Sequence, residues 1–212
     1  MEFISLMEMI GTVAFAVSGA LVAVEKELDY YGIAFLAIIT AVGGGIMRDT
    51  IINVDLPVAL ANPLYVIVSI MAAALVIIFY KKIVKYKNIV MFFDAIGLAA
   101  FTAIGAEAAV HNDVYMPFVV IALAILTGTG GGILRDVFAR EIPFVFRKEV
   151  YAVASIIGAL AFMIAYYYVG KHLAMYICFA ITLTIRLIAI KMNWHLSRVK
   201  IKDEIISQTK EN

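Results

Sequence analysis

The sequence predicts an all-α integral membrane protein: seven transmembrane helices, built as two inverted-topology three-helix repeats plus a seventh helix. Three observations carry that expectation. They are a large apolar excess, seven stretches long enough to cross a bilayer, and a match of the first half of the chain to the second. The 212 residues are 64% hydrophobic and 16% charged, with mean hydropathy +0.99. Soluble chains carry about 25% charged residues, and a core of this size cannot enclose so much apolar surface, so much of it faces lipid. A formal net charge of +1 argues against a nucleic-acid partner. Cys178 is the single cysteine, so it can form no intrachain disulfide, and in an apolar run it reads as a small buried hydrophobe.

Crossing a bilayer by helix takes about 20 mostly apolar residues. Residues 5–24, 31–51, 64–80, 90–110, 115–138, 149–169 and 173–190 meet or nearly meet that length. Short polar breaks separate them, and only the tail beyond Lys191 reads as soluble. The N-terminus lacks the basic segment of a signal peptide, so the first stretch is expected to be a retained span. With the N-terminus outside, the cytoplasmic segments hold Lys26, then Lys81, Lys82, Lys85 and Lys87, then Arg140, Arg147 and Lys148, then the basic tail. The opposite side keeps little beyond Lys171. That asymmetry predicts a multi-pass protein of the cell membrane with its N-terminus outside and its C-terminus cytoplasmic.

Glu8 to Ala20 lies over Asp94 to Ala106 without a gap; Ile10, Gly11, Ala14, Phe15, Gly19 and Ala20 recur and an acid opens both copies. Gly43-Gly44-Gly45-Ile46-Met47-Arg48-Asp49 lies over Gly130-Gly131-Gly132-Ile133-Leu134-Arg135-Asp136, and Tyr65 over Tyr151. The offset stays at 86 or 87 residues, so the chain divides into repeats at 1–80 and 88–169, a seventh helix at 173–192 and a tail at 193–212. Three spans per copy is an odd number, so the second copy enters from the opposite side.

Each glycine inside a helix costs about 1 kcal/mol relative to alanine, so two triplets at equivalent places need a reason. One reading is that the backbone unwinds there and presents carbonyls, chiefly those of Gly44 and Gly131, to a monovalent cation on a pathway at the repeat interface. The other is close helix packing through small residues. Arg48 and Asp49, like Arg135 and Asp136, follow their triplets on roughly the same helical face. They read either as groups reaching the pathway or as an arginine extending to the interface with an acidic partner. Asp94 and its counterpart Glu8 read as pore-mouth acids or as interface residues. Glu107 and His111 read as a local surface pair, Arg186 as an arginine extending towards the tail, and Gly11, Gly19, Gly97 and Gly105 as close-contact positions. Tyr166, Tyr167, Tyr168 and Trp194 read as interfacial belts. There is no phosphate-binding loop, metal-spaced His/Cys set or Ser/His/Asp arrangement, so neither an enzyme nor a cofactor is expected.

Two opposed three-span repeats, each with Gly-Gly-Gly-x-x-Arg-Asp in its second span, plus a seventh span, resemble the prokaryotic TRIC (trimeric intracellular cation) channels over about residues 5–190. The resemblance implies a homotrimer in membrane lipid with a pore in each protomer, lined by helices two and five kinked at the glycines and passing potassium or sodium. It places Gly43, Gly44, Gly45, Arg48, Asp49, Gly130, Gly131, Gly132, Arg135 and Asp136 at that pore. Lys148-Glu149-Val150 also matches a Lys-Glu-Val element of the family, which adds Lys148. The same family carries the label of a glycine transporter, so a secondary transporter of a small solute is the alternative.

Overall fold

The computed structural model describes residues 2–86, 88–147 and 150–194. Lys148 and most of the tail therefore lie outside the described residues. The elements are α1 (Glu2–Glu25), α2 (Tyr30–Ile51), α3 (Val58–Ala61), α4 (Leu64–Ile83), α5 (Ile89–His111), α6 (Pro117–Phe138), α7 (Phe144–Arg147), α8 (Val150–Val169) and α9 (Lys171–Met192). Seven of them are long and apolar enough to cross a membrane. The short α3 and α7 occupy the breaks after the second and fifth spans, where the sequence suggested only polar connections.

Boundaries moved little, and where they moved the cause is visible. The third span runs to Ile83 rather than 80, taking Lys81 and Lys82 into its last turn, where cations meet the negative end of the helix dipole. Glu27 and Asp113 end the first and fourth spans in the left-handed conformation, and Asn53 and Arg140 do the same for the second and fifth. These pairs obey the same offset as the motifs, so the duplication extends to the turns.

Packing follows the repeat. Within the first copy α1, α2 and α4 pack against one another, and within the second α5, α6 and α8 do so. Between copies, α1 packs on α5 and α2 on α6, so the first two spans of each copy meet their own counterparts across a pseudo-twofold axis. Each counterpart is the third span along the chain from its partner, so the two run antiparallel. α4 shows how one span serves two surroundings: Ser69, Ala72, Ala73 and Val76 form its buried stripe, at the i, i+3, i+4, i+7 spacing of one helix face. Ile67, Met71, Leu75 and Ile78 remain exposed, as lipid-facing residues do. Central α5 is buried along nearly its whole length. α9, outside the repeat, packs on α5 and α8.

The unwinding expected at the triplets does not occur. α2 and α6 are α-helical straight through 43–45 and 130–132, so the reading of Gly44 and Gly131 as freed carbonyl ligands loses its premise. The physical reason for the glycines is proximity. A Cβ on Gly44 would lie 2.3 Å from the carbonyl oxygen of Thr127, and one on Gly131 2.1 Å from that of Thr40. Each copy supplies the helix surface against which the other's glycine fits.

Candidate functional site: two charged clusters flanking a glycine crossing

Both clusters start in the last turns of α2 and α6. Arg48 Nε donates to Asp49 Oδ1 at 2.7 Å, and Arg135 Nε donates to Asp136 Oδ1 at 2.8 Å. The other carboxylate oxygen reaches the following short helix: Asp49 Oδ2 accepts from the backbone N–H of Val58 at 2.9 Å, and Asp136 Oδ2 from that of Phe144 at 2.8 Å. Each aspartate thus neutralises its arginine and holds the first N–H of α3 or α7, a donor with no partner inside its own helix. All four charged side chains are buried. Charges at membrane depth persist only when paired in this way.

Beyond that shared core the two ends differ. Arg135 Nη1 also donates to Asp94 Oδ1 at 2.6 Å and to Ser18 Oγ at 2.5 Å, joining α6 to α5 and α1. Its guanidinium lies 4.8 Å from the centre of the Phe144 ring. At the other end Glu8 occupies the place of Asp94, yet its Oε2 accepts from the Tyr65 hydroxyl at 2.5 Å. Among the described residues Glu8 and Arg48 form no ion pair.

Between the clusters lies the axis. Phe15 and Phe101, counterparts at the 86-residue offset, stack with ring centroids 5.4 Å apart. Gly97 and Gly11 make room for them: a Cβ on Gly97 would meet Phe15 at 2.1 Å, and one on Gly11 would meet Phe101 at 3.0 Å. The expected close contacts of Gly19 and Gly105 are also present, against the carbonyls of Leu36 and Leu123. A vestibule of about 510 Å³ opens at the Arg135 end, with Glu25, Lys26, Tyr86, Asn88, Asp136 and Glu141 on its walls. Lys26 and Glu141 form an ion pair there. The cavity at the other end, beside Glu8, Arg48, Asp49 and Tyr65, measures about 20 Å³, room for roughly one water.

Several sequence expectations change here. Asp94 is fully buried and ion-paired to Arg135 rather than presented at a surface. Arg186 does not extend to the tail; it is 1% exposed and lies 4.6 Å over the Tyr151 ring, because α9 packs directly on α8. Glu107 is buried rather than superficial. The Lys171 ammonium lies 3.0 Å from its Oε1, off the line a hydrogen bond needs, with His111 at 4.0 Å. Tyr167 and Tyr168 are exposed as a belt requires, while Tyr166 stacks on Phe162. Ser18, Tyr65 and Tyr151 were missed as site residues; the recurrence of Tyr65 at 151 was the available signal. Among the described residues no group of His, Cys, Asp and Glu could hold a metal.

Comparison with known proteins places this architecture. The family model described as "Glycine transporter" matches the chain twice, at residues 5–81 and 91–167. The UPF0126 inner membrane protein YadS of Escherichia coli is 37% identical over 193 residues, covering 90% of this chain and 92% of that protein. The TRIC trimeric intracellular cation channel orthologue from Rhodobacter sphaeroides superposes with a TM-score of 0.86 at 31% identity, covering 92% of this chain and all of that one. A structure described under conductance through TRIC cation channels gives 0.85 at 33% identity, covering 94% of this chain and 98% of its own. With the fold, both repeats and nearly the whole length shared, the chain belongs to the prokaryotic TRIC channel family, to which the glycine-transporter family model is related.

Proposed function

We propose that the protein is a cation channel that conducts potassium along a pathway between α2 and α6, one in each protomer of a homotrimer in the cell membrane. The observation that carries this is the pair of charged clusters at opposite ends of the glycine crossing, in a chain similar to proteins described as TRIC cation channels. Fixed positive charge in a pore opposes cations. Arg48 and Arg135, however, are each bonded to an aspartate, and Asp94 and Glu8 add acid at the two ends, so the pathway need not be electropositive. The route would be made by separation of packed helices and lined by side chains, with Gly43, Gly44, Gly45, Gly130, Gly131 and Gly132 at its narrowest level. A side-chain-lined route lacks a ring of filter carbonyls, so discrimination between potassium and sodium is expected to be weak. The basic residues orient the chain with its N-terminus outside.

Single-channel recording of the purified, reconstituted protein in asymmetric KCl tests this. Ohmic steps reversing near the potassium equilibrium potential are the expected result, from particles whose protein mass equals three chains. The family's glycine-transporter description favours one competing reading, a carrier. Saturable glycine uptake into vesicles, with no unitary current, would overturn the channel.

A further inference from the structure

The two repeats place the same kinds of charge at the two ends of the crossing, but the seventh span adds to only one end. In the first repeat two acids, Glu8 and Asp49, accompany one arginine, Arg48, around the small outer cavity. In the second, Asp94 and Asp136 are both ion-paired to Arg135. Counted as formal charges, each repeat by itself leaves its end with one acid in excess.

α9 brings a second arginine to the Asp94 end. Arg186 is 1% exposed, and its guanidinium lies 4.6 Å from the centre of the Tyr151 ring. The Tyr151 hydroxyl in turn sits among the charged groups. A Cβ on Gly132 would lie 2.9 Å from that hydroxyl, 3.3 Å from Asp94 Oδ1 and 3.7 Å from Arg135 Nη2. Arg186 therefore stands one tyrosine ring behind the second glycine triplet. Its Nε and Nη2 have no hydrogen-bond partner, and among the described residues it forms no ion pair. A buried arginine persists at membrane depth where opposite charge is near, and the excess acid of this cluster supplies that charge. The same span repeats the device at its other end. Glu107 is a buried acid of α5 at the place where α1 has Leu21, and the Lys171 ammonium lies 3.0 Å from its Oε1.

We propose that Arg186 is a conductance-determining residue: its charge cancels the excess acid at the Asp94 end, so a permeating cation meets a neutral field there and a negative one at the Glu8 end. The charge acts through space and needs no contact with the cation. A negative field at an entry concentrates cations, so the two ends supply current unequally.

The proposal rests on the channel reading, and the quantity it governs is unitary current rather than open probability. Arg186→Gln and Arg186→Met, both uncharged, are expected to raise unitary potassium current in one polarity by about twofold to fourfold in about 10 mM KCl, where fields reach about 30 Å. In about 1 M KCl, where they reach about 3 Å, the gain should nearly vanish. The opposite polarity, fed from the Glu8 end, should change little. Arg186→Lys keeps the charge and should stay near wild type in both salts. A merely structural role would give lysine and glutamine the same effect, or an effect indifferent to salt, and either result overturns the proposal. Unchanged current in both neutral variants overturns it as well. If neither neutral variant forms trimers while Arg186→Lys does, the charge serves assembly and its role in conduction is refuted. Wild-type protein without unitary current overturns the channel reading, and this assignment falls with it.

Discussion

The glycines of the two triplets do different things. Gly131 sits against a backbone carbonyl that cannot swing away, with Thr40 O 2.1 Å from the position a Cβ would take. Gly43 faces the flexible end of Leu134, and Gly45 has nothing within 4 Å. Gly131→Ala should therefore push α2 and α6 apart and cost about 1–3 kcal/mol, as overpacking does. Gly45→Ala should be neutral or stabilising by up to about 1 kcal/mol through helix propensity. Unfolding of the two variants in detergent measures the contrast. Equal losses would mean that the triplet acts through backbone flexibility, the reading that unbroken helices disfavour. The residue types and spacing were legible in the sequence. Which glycine carries the contact was not, because that depends on where the facing helix places its carbonyls.

At the scale of elements, each aspartate after a triplet ties a span to the short helix that follows it. Asp49 holds the first N–H of α3 and Asp136 that of α7, a capping interaction worth about 1 kcal/mol. Asp49→Ala should speed amide hydrogen exchange selectively over 58–61, and Asp136→Ala over 144–147. Exchange that rises equally at both places in either variant would show global loosening instead. The spans could be read from apolar length alone. The two short helices escaped notice because four residues give no periodic signal, and because their stabilising acceptor lies eight or nine positions earlier in the chain.

Across the whole molecule, the inverted duplication fixes which loops share a side. Asn62 and Asp113 should face outward and Lys85 the cytoplasm, and all three are exposed on the described surface. Single-cysteine variants at these positions test this with a membrane-impermeant thiol reagent, since buried Cys178 stays silent. The reagent is expected to label positions 62 and 113 in intact cells and position 85 only after lysis. Labelling of 62 and 85 from one side would remove α4 as a span, and reversal of all three would reverse the orientation.

By itself the sequence determined the membrane class, the seven spans, the two opposed repeats and the charged motifs within them. Those properties are written in apolar length, basic-residue asymmetry and self-similarity, which are local or internal to the chain. Only the tertiary structure decided that the glycines serve a helix crossing rather than an unwound segment. It also decided that Asp94 and Glu8 are bonded differently despite equivalent positions, and that Arg186 reaches Tyr151. Each of these depends on distances between helices that the chain brings together from far apart. A repeat in sequence implies equivalent places, but among the described residues the seventh span packs on α5 and α8 of the second copy, so the two ends of the molecule need not be alike.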